Sequence, residues 1–249
     1  MEVITAASNP HVKALRSLYE RKGRKERGQY VVEGVNIVKD IPETQRVDAY
    51  FVAASKKEEL LPLAKDKSAP VYLLEDDLMA RVAEQITPSG IIAVLPYPDC
   101  QGDYRLAQRL AVLDGVADPG NVGTILRSAV AAGFEDVLIL GGADPYSPKV
   151  VRASMGGIFS LRIYTAPRGA LEWDHDLYLL DMGGSSLFDE RPRLPYALVV
   201  GSEASGADET TKRIPHHTVA IPMEGGIESL NAAVAMATAM FVFKNNEGR

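Results

Sequence analysis

The sequence predicts an α/β protein of two domains, a smaller one first and then a larger one built on a parallel sheet. Three observations carry this. Short apolar runs alternate with helical patterns along the chain, as expected when helices cover the faces of a sheet. The runs are continuous rather than alternating in polarity, as in Ile91-Ile92-Ala93-Val94-Leu95, which suits strands buried on both faces. The texture also breaks at Pro96-Tyr97-Pro98-Asp99-Cys100-Gln101-Gly102-Asp103, where turn and breaker residues mark a linker. The expected division is residues 1–97, a linker over 98–106, and residues 107–249.

Each element has a local cause. Ser8-Asn9-Pro10 opens a helix, since proline fits a first turn whose N–H groups have no partner to lose. Val12, Leu15 and Leu18-Tyr19 follow at helical spacing, with Gly23 as the expected stop. Tyr30-Val31-Val32 reads as a strand, followed by a helix over residues 35–40. Further strands are expected at 49–53, 70–74 and 91–95, with helix over 58–64. Beyond the linker, strand-like runs occupy 110–113, 137–140, 177–180, 197–200 and 219–221. Helical segments at 121–132, 148–155 and 229–244 fall between or after them. No repeat of solenoid length and no low-complexity tract interrupts the pattern.

Composition narrows the class. With 249 residues, 46% apolar and 24% charged, the chain can bury a sizeable core without metals or disulfides. Cys100, the single cysteine, fits a reducing compartment. No apolar stretch reaches the eighteen or so residues of a membrane span, and Met1-Glu2-Val3-Ile4-Thr5 lacks the order of a secretory signal. A cytoplasmic protein is expected. The net charge of −6 argues at first against a nucleic-acid partner, but the charge is uneven. Residues 1–30 hold seven basic and three acidic residues, leaving 20 basic and 30 acidic in the remainder. Arg21, Lys22, Arg24, Lys25 and Arg27 are therefore candidates to contact a polyanion. The alternative is a solvated helix face and a charged turn.

Three glycine-rich turns follow apolar runs in the second half, and ligands of open α/β sheets sit beyond the carboxyl ends of strands. The first is Asp118-Pro119-Gly120-Asn121-Val122-Gly123-Thr124-Ile125-Leu126-Arg127. Its helix start offers free N–H groups to an anion, and Arg127 offers a planar fork to a phosphate. Alternatively Asn121 is a helix cap and Arg127 a surface ion-pair partner. The second is Gly201-Ser202-Glu203-Ala204-Ser205-Gly206, where small residues let a ligand approach the backbone. Glu203 could serve a ligand, hold an arginine, or cap the next helix. The third runs Ile221-Pro222-Met223-Glu224-Gly225-Gly226-Ile227-Glu228-Ser229-Leu230-Asn231 into an alanine-rich helix. Ser229 is the expected cap of that helix, which puts Asn231 inside it, where Glu or Ala would cost less.

Other chemistries find little support. There is no G-x-x-x-x-G-K-[ST] loop, no G-x-G-x-x-G after a strand and no G-x-S-x-G elbow. His11, His175, His216, His217 and Cys100 lack zinc-ligand spacing, so no metal is expected, and His216-His217 reads as a solvated loop pair.

Taken in order, the three turns resemble the three motifs of the SpoU (TrmH-like) branch of the SPOUT RNA methyltransferases. Pro148-Lys149-Val150-Val151-Arg152-Ala153-Ser154-Met155-Gly156 resembles the segment between the first two motifs, and the stretch from Asn9-Pro10 to Glu33-Gly34 is similar to an N-terminal substrate-binding domain carried by many members. The resemblance implies transfer of a methyl group from S-adenosylmethionine to a ribose 2′-hydroxyl in RNA, with ribosomal RNA favoured by the N-terminal domain. It also implies a C-terminal trefoil knot, which general topology rules would disfavour, and a homodimer with its active site near the interface. On the family pattern Asn121, Arg127, Glu203, Ser229 and Asn231 surround the reacting centre. Leu180, Gly201, Ile221, Met223, Ser229 and Leu230 line the cofactor pocket. A ribose hydroxyl is a poor nucleophile that must be positioned and relieved of its proton. Arginine is essentially never deprotonated, so Arg127 is read as orienting hydroxyl and phosphate as readily as acting as a base. This sequence departs from the family in Ala204 and Ser205, where many members have glycine after Glu203. Two alternatives remain: a non-catalytic RNA-binding module of the same fold, and a nucleotide-dependent α/β oxidoreductase.

Overall fold

The computed structural model describes residues 3–66, 68–85, 87–99, 102–225 and 229–248. The chain forms two compact units, Met1–Asp99 with Tyr146–Phe159, and Cys100–Pro145 with Ser160–Arg249. Cys100 and the Gly226-Ile227-Glu228 part of the third turn lie outside the described residues.

The first unit holds a five-stranded mixed sheet of β1 (Val3–Ile4), β2 (Gln29–Glu33), β3 (Ala49–Ala53), β4 (Val71–Leu74) and β5 (Ile91–Pro96). Their order is β1-β4-β3-β5-β2. The β1, β4 and β3 strands run parallel, and β5 is antiparallel to both β3 and β2. Around it lie α1 (Pro10–Ser17), α2 (Arg21–Arg27), α3 (Val35–Lys39), α4 (Lys57–Leu60) and α5 (Asp76–Val82). Val12, Leu15 and Leu18 pack with Val31, Phe51, Leu74 and Leu78 in one core.

The start of the chain differs from expectation in an informative way. Asn9 caps α1 as its residue type suggests, accepting from the His11 N–H at 2.9 Å, but that helix ends at Ser17 and the basic segment forms α2. Gly23 is no stop. It sits inside α2, where a Cβ would lie 2.0 Å from the Ser17 carbonyl oxygen, so its lack of a side chain lets two helices meet at a tight corner. Gly28, at φ +61°, ends α2 instead. The helix expected over 58–64 is shorter as well. Pro62 follows α4 in a single 3₁₀ turn over Leu61–Leu63, since proline cannot donate to the preceding turn.

The second unit is a six-stranded, wholly parallel sheet. It comprises β6 (Arg109–Asp114), β7 (Asp136–Leu140), β8 (Arg162–Ala166), β9 (Asp176–Ser186), β10 (Tyr196–Gly201) and β11 (His217–Ala220). The order is β11-β9-β10-β6-β7-β8. From β6 the chain runs outward to β7 and β8, then returns on the other side through β9, β10 and β11. The reversal falls between β6 and β10, whose ends are in register at Asp114 and Gly201, and such a point opens a crevice for ligands. Helices α6 (Pro119–Ala131) and α9 (Ala232–Asn246) pack on each other, and α8 (Glu209–Arg213) precedes β11. The β8 strand is an edge element with one fully buried side chain, Ile163, which explains its weak apolar signal.

In the first unit, the returning segment carries α7 (Pro148–Ala153), which packs against β2. Tyr146 stacks on Tyr97 at 4.7 Å between ring centroids and lies 5.1 Å from Tyr30.

Candidate active site

Three polar side chains from three different turns meet above the crevice. The α6 start is capped by Asp118, whose carboxylate accepts from the Asn121 N–H at 2.8 Å. Asn121 is therefore a first-turn residue and not the cap. Its side chain is left to face outward, where its amide donates to the Glu203 carboxylate at 2.5 Å. Its carbonyl accepts from the Asn231 amide at 2.9 Å. Asn231, in turn, is the cap of α9: its Oδ1 accepts from the N–H groups of Ala233 and Val234 at 2.9 and 3.2 Å. Ser229, expected as that cap, lies two residues ahead of it and lines the cavity instead. One asparagine thus fastens a helix with its oxygen and the site with its nitrogen.

The turn bearing Glu203 is closed by two backbone hydrogen bonds between Ser202 and Gly206, at 3.0 and 2.9 Å. Gly201 is required here, since a Cβ would meet the Ala207 nitrogen at 2.2 Å. The next helix, α8, is capped by Asp208, so Glu203 is free for the site. Hydrogen bonds from the Thr210 hydroxyl and N–H hold the Asp208 carboxyl below its ordinary value.

Beside these residues lies a cavity of about 390 Å³, within the range of small-molecule sites. Its apolar walls include Leu180, Met182, Ile221, Met223 and Leu230, and its polar members include Ser202, Glu203, Ser229 and Asn231. Gly201 lines it too. Every residue proposed from sequence for a cofactor pocket is among them, as are Glu203 and Asn231; sequence reasoning did not single out Asp181 and Met182, which follow Leu180 in the polar half of β9. No Lys, Arg or His lines the cavity among the described residues, while Asp181 and Glu203 contribute carboxylates. That lining suits a ligand with an apolar part and a positive charge.

Arg127 stands apart. Six residues beyond Asn121, it is turned about 240° around α6. It is exposed, absent from the cavity lining, and makes no hydrogen bond or ion pair among the described residues. Val130, one turn on, is also exposed. In the first unit, Arg21, Lys22, Lys25 and Arg27 are exposed, whereas Arg24 is 3% exposed. Its guanidinium donates to the Leu18 and Tyr19 carbonyls at 2.8 and 2.9 Å. Arg24 secures the α1–α2 corner and is not a surface cation, a correction to its expected role in RNA contact.

Among the described residues, no group of His, Cys, Asp and Glu is arranged to hold a metal, and no helix is long and apolar enough to cross a membrane.

Residues 108–241 match the model of the SpoU rRNA methylase family. The chain belongs to that family. Residues 9–93 of this SpoU methylase match the MRM3-like substrate binding domain. It is 28% identical to the 23S rRNA (guanosine(2553)-2'-O)-methyltransferase RlmP of Bacillus subtilis, over 97% of this chain and 98% of that one. It is 30% identical to the 23S rRNA (uridine(2479)-2'-O)-methyltransferase of Streptomyces viridochromogenes, over 90% and 85%. In structure it is similar to the SpoU methyltransferase AviRb from Streptomyces viridochromogenes in complex with AdoMet, with a TM-score of 0.83 at 25% identity, over 95% of this chain and 97% of that one. The three turns of the SpoU methylase are thus the ones that supply Asn121, Glu203 and Asn231 to a single hydrogen-bonded cluster.

Proposed function

We propose that this SpoU methylase transfers a methyl group from S-adenosylmethionine to a ribose 2′-hydroxyl in ribosomal RNA. The observation that carries the reading is the Glu203–Asn121–Asn231 cluster at the edge of the 390 Å³ cavity. S-adenosylmethionine, when bound, supplies a methyl group on a cationic sulfonium. Leu180, Ile221, Met223 and Leu230 offer apolar surface for its ring, and Gly201 admits it close to the backbone. Asp181 and Glu203 line the same cavity and would offer negative charge to a bound sulfonium. Asn121 and Asn231 are fixed by each other and orient the ribose, with Ser229 beside them. Proximity of this kind supplies much of the barrier reduction for a weak nucleophile.

The active unit of this reading is a homodimer. Arg127 and Val130 are exposed on α6, as are Val234 and Phe241 on α9, and exposed apolar side chains on two helices packed on each other suit a two-fold contact. Across it, Arg127 would serve the site of the second copy, orienting the hydroxyl and a neighbouring phosphate. A trefoil knot in the second unit goes with this reading. So does a division of labour in which residues 1–97 select the RNA and 107–249 perform the transfer.

The test is to map 2′-O-methyl positions in total RNA from cells with and without the protein, and to add labelled S-adenosylmethionine to unmodified ribosomal RNA in vitro. One ribose that gains a methyl only with the protein is expected. Cofactor binding with no label in any RNA would favour the non-catalytic module.

A further inference from the structure

The turn that presents Glu203 is held from behind by a residue outside all three motifs. Arg168, in the loop after β8, lies beside the end of β6, where its Nε donates to the Asp114 carboxylate at 3.0 Å. Asp114 is fully buried, and its second oxygen accepts from the Asp208 N–H at 2.8 Å, so the carboxylate is paired on both sides. The other edge of the same guanidinium faces the turn. Its Nη2 donates to the Gly206 carbonyl at 2.7 Å, and both Nη atoms lie 3.3 Å from the Ser205 hydroxyl. The Gly206 carbonyl also accepts the Ser202 N–H. Ser205 is bonded to Ser202 as well, hydroxyl to hydroxyl at 2.9 Å. Space for the guanidinium is provided by Gly115, at φ +78°, where a Cβ would meet the Arg168 Cζ at 2.9 Å.

We infer that Arg168 is a positioning residue for methyl transfer: it ties residues 202–206 to the end of β6 and so fixes the Glu203 carboxylate against Asn121. The inference rests on the reading of the cluster given above. Its physical basis is the planar fork of arginine, which satisfies Asp114 with one edge and the turn with the other. A lysine can keep the charge beside Asp114, but its single nitrogen lacks the spaced coplanar donors that reach Asp114, Ser205 and Gly206 together. Ser205 is the turn's own half of the clamp, its hydroxyl facing both Nη atoms of Arg168.

Two variants test this without leaving Asp114 unpaired. R168K keeps a cation there, and S205A alters only an exposed hydroxyl. R168K is expected to lower kcat by up to about 10²-fold, the scale on which a catalytic group misplaced by an ångström acts, and to weaken S-adenosylmethionine binding in calorimetric titration. S205A is expected to do the same to a smaller degree, with its melting temperature unchanged. Because Arg168 acts through Glu203, adding R168K to E203Q should cost little further kcat, a non-additivity that a general loss of stability would not produce. If both single variants keep wild-type kcat and affinity, or if R168K and E203Q are fully additive, the assignment is overturned. S205A alone decides the matter if R168K does not fold. A wild-type protein that binds cofactor yet methylates no RNA would instead defeat the reaction assigned to the cluster, and the affinities of the two variants would still decide whether Arg168 shapes the turn.

Discussion

Asn231 shows what a single side chain can hide from sequence. Both Ser229 and Asn231 are good cap residues, and their spacing of two does not say which begins the helix. The structure gives the cap to Asn231 and leaves its amide nitrogen for Asn121. Two substitutions separate these duties. Asn231→Ala should lower stability by about 1 kcal/mol through the lost cap and also abolish methyl transfer. Asn231→Asp keeps the capping oxygen, so its melting temperature should stay near wild type. Transfer should still fail, because a carboxylate can neither donate to Asn121 nor sit easily near Glu203. Thermal melts with labelled-methyl assays check both, and an active Asn231→Asp protein would remove the donor from the mechanism. Asn121 and Glu203 were legible as polar residues in glycine-rich turns. Their mutual bond was not, since 82 residues separate them and only the sheet register brings the turns together.

At the level of elements, strands with a buried apolar run were read from sequence, whereas the exposed edge strand β8 and the polar extension of β9 were not. The β10 and β7 strands are buried almost throughout and appear as plain apolar runs. The β8 strand is mostly polar, and β9 continues past its apolar half into Asp181-Met182-Gly183-Gly184-Ser185-Ser186. There Gly184 lies against the Thr218 backbone, and a Cβ would come within 2.5 Å. Close approach, not hydrophobicity, sets that extension. The last helix also has an anchor that periodicity cannot show. Glu247, just after α9, pairs with Arg109 at the start of β6, at 2.7 and 2.6 Å. Hydrogen bonding to Arg109 holds the Glu247 carboxyl below its ordinary value, against an opposing effect of burial. A lowered folded value means the pair stabilises fully above the unfolded carboxylate value, and that this is lost as pH falls through the folded one. Glu247→Gln should therefore cost about 1.5 kcal/mol at neutral pH. Its deficit in melting temperature should close below about pH 4. A deficit that persists unchanged at low pH would show that the charge is not what matters.

For the whole molecule, the charge divides as the sequence arithmetic suggested, but one member of the basic segment is internal. Neutralising Arg21, Lys22, Lys25 and Arg27 together should weaken RNA binding and flatten its salt dependence, by roughly 0.7–0.9 in slope for each phosphate that is no longer neutralised. Filter binding over a salt series measures this, and an unchanged slope would make the segment a solvated surface. Assembly can be tested in the same spirit. Arg127→Ala and Asn121→Ala should each be inactive alone. Mixed after co-expression, they should recover about a quarter of the wild-type rate, the statistical share of intact sites in a randomly paired two-fold dimer. No recovery would mean that Arg127 serves its own chain or none.

The Tyr146–Phe159 return gives the chain an order of events. The first unit ends in sequence at Asp99 but includes α7, which packs on β2. A ribosome making this protein must therefore release about sixty further residues before the first unit has all its parts, since domains form as their segments emerge. Until then β2 keeps an uncovered surface, and a fragment stopped near residue 99 would carry that defect permanently. For the same reason, a protease that cuts only between residues 98 and 106 should leave the pieces held together by α7.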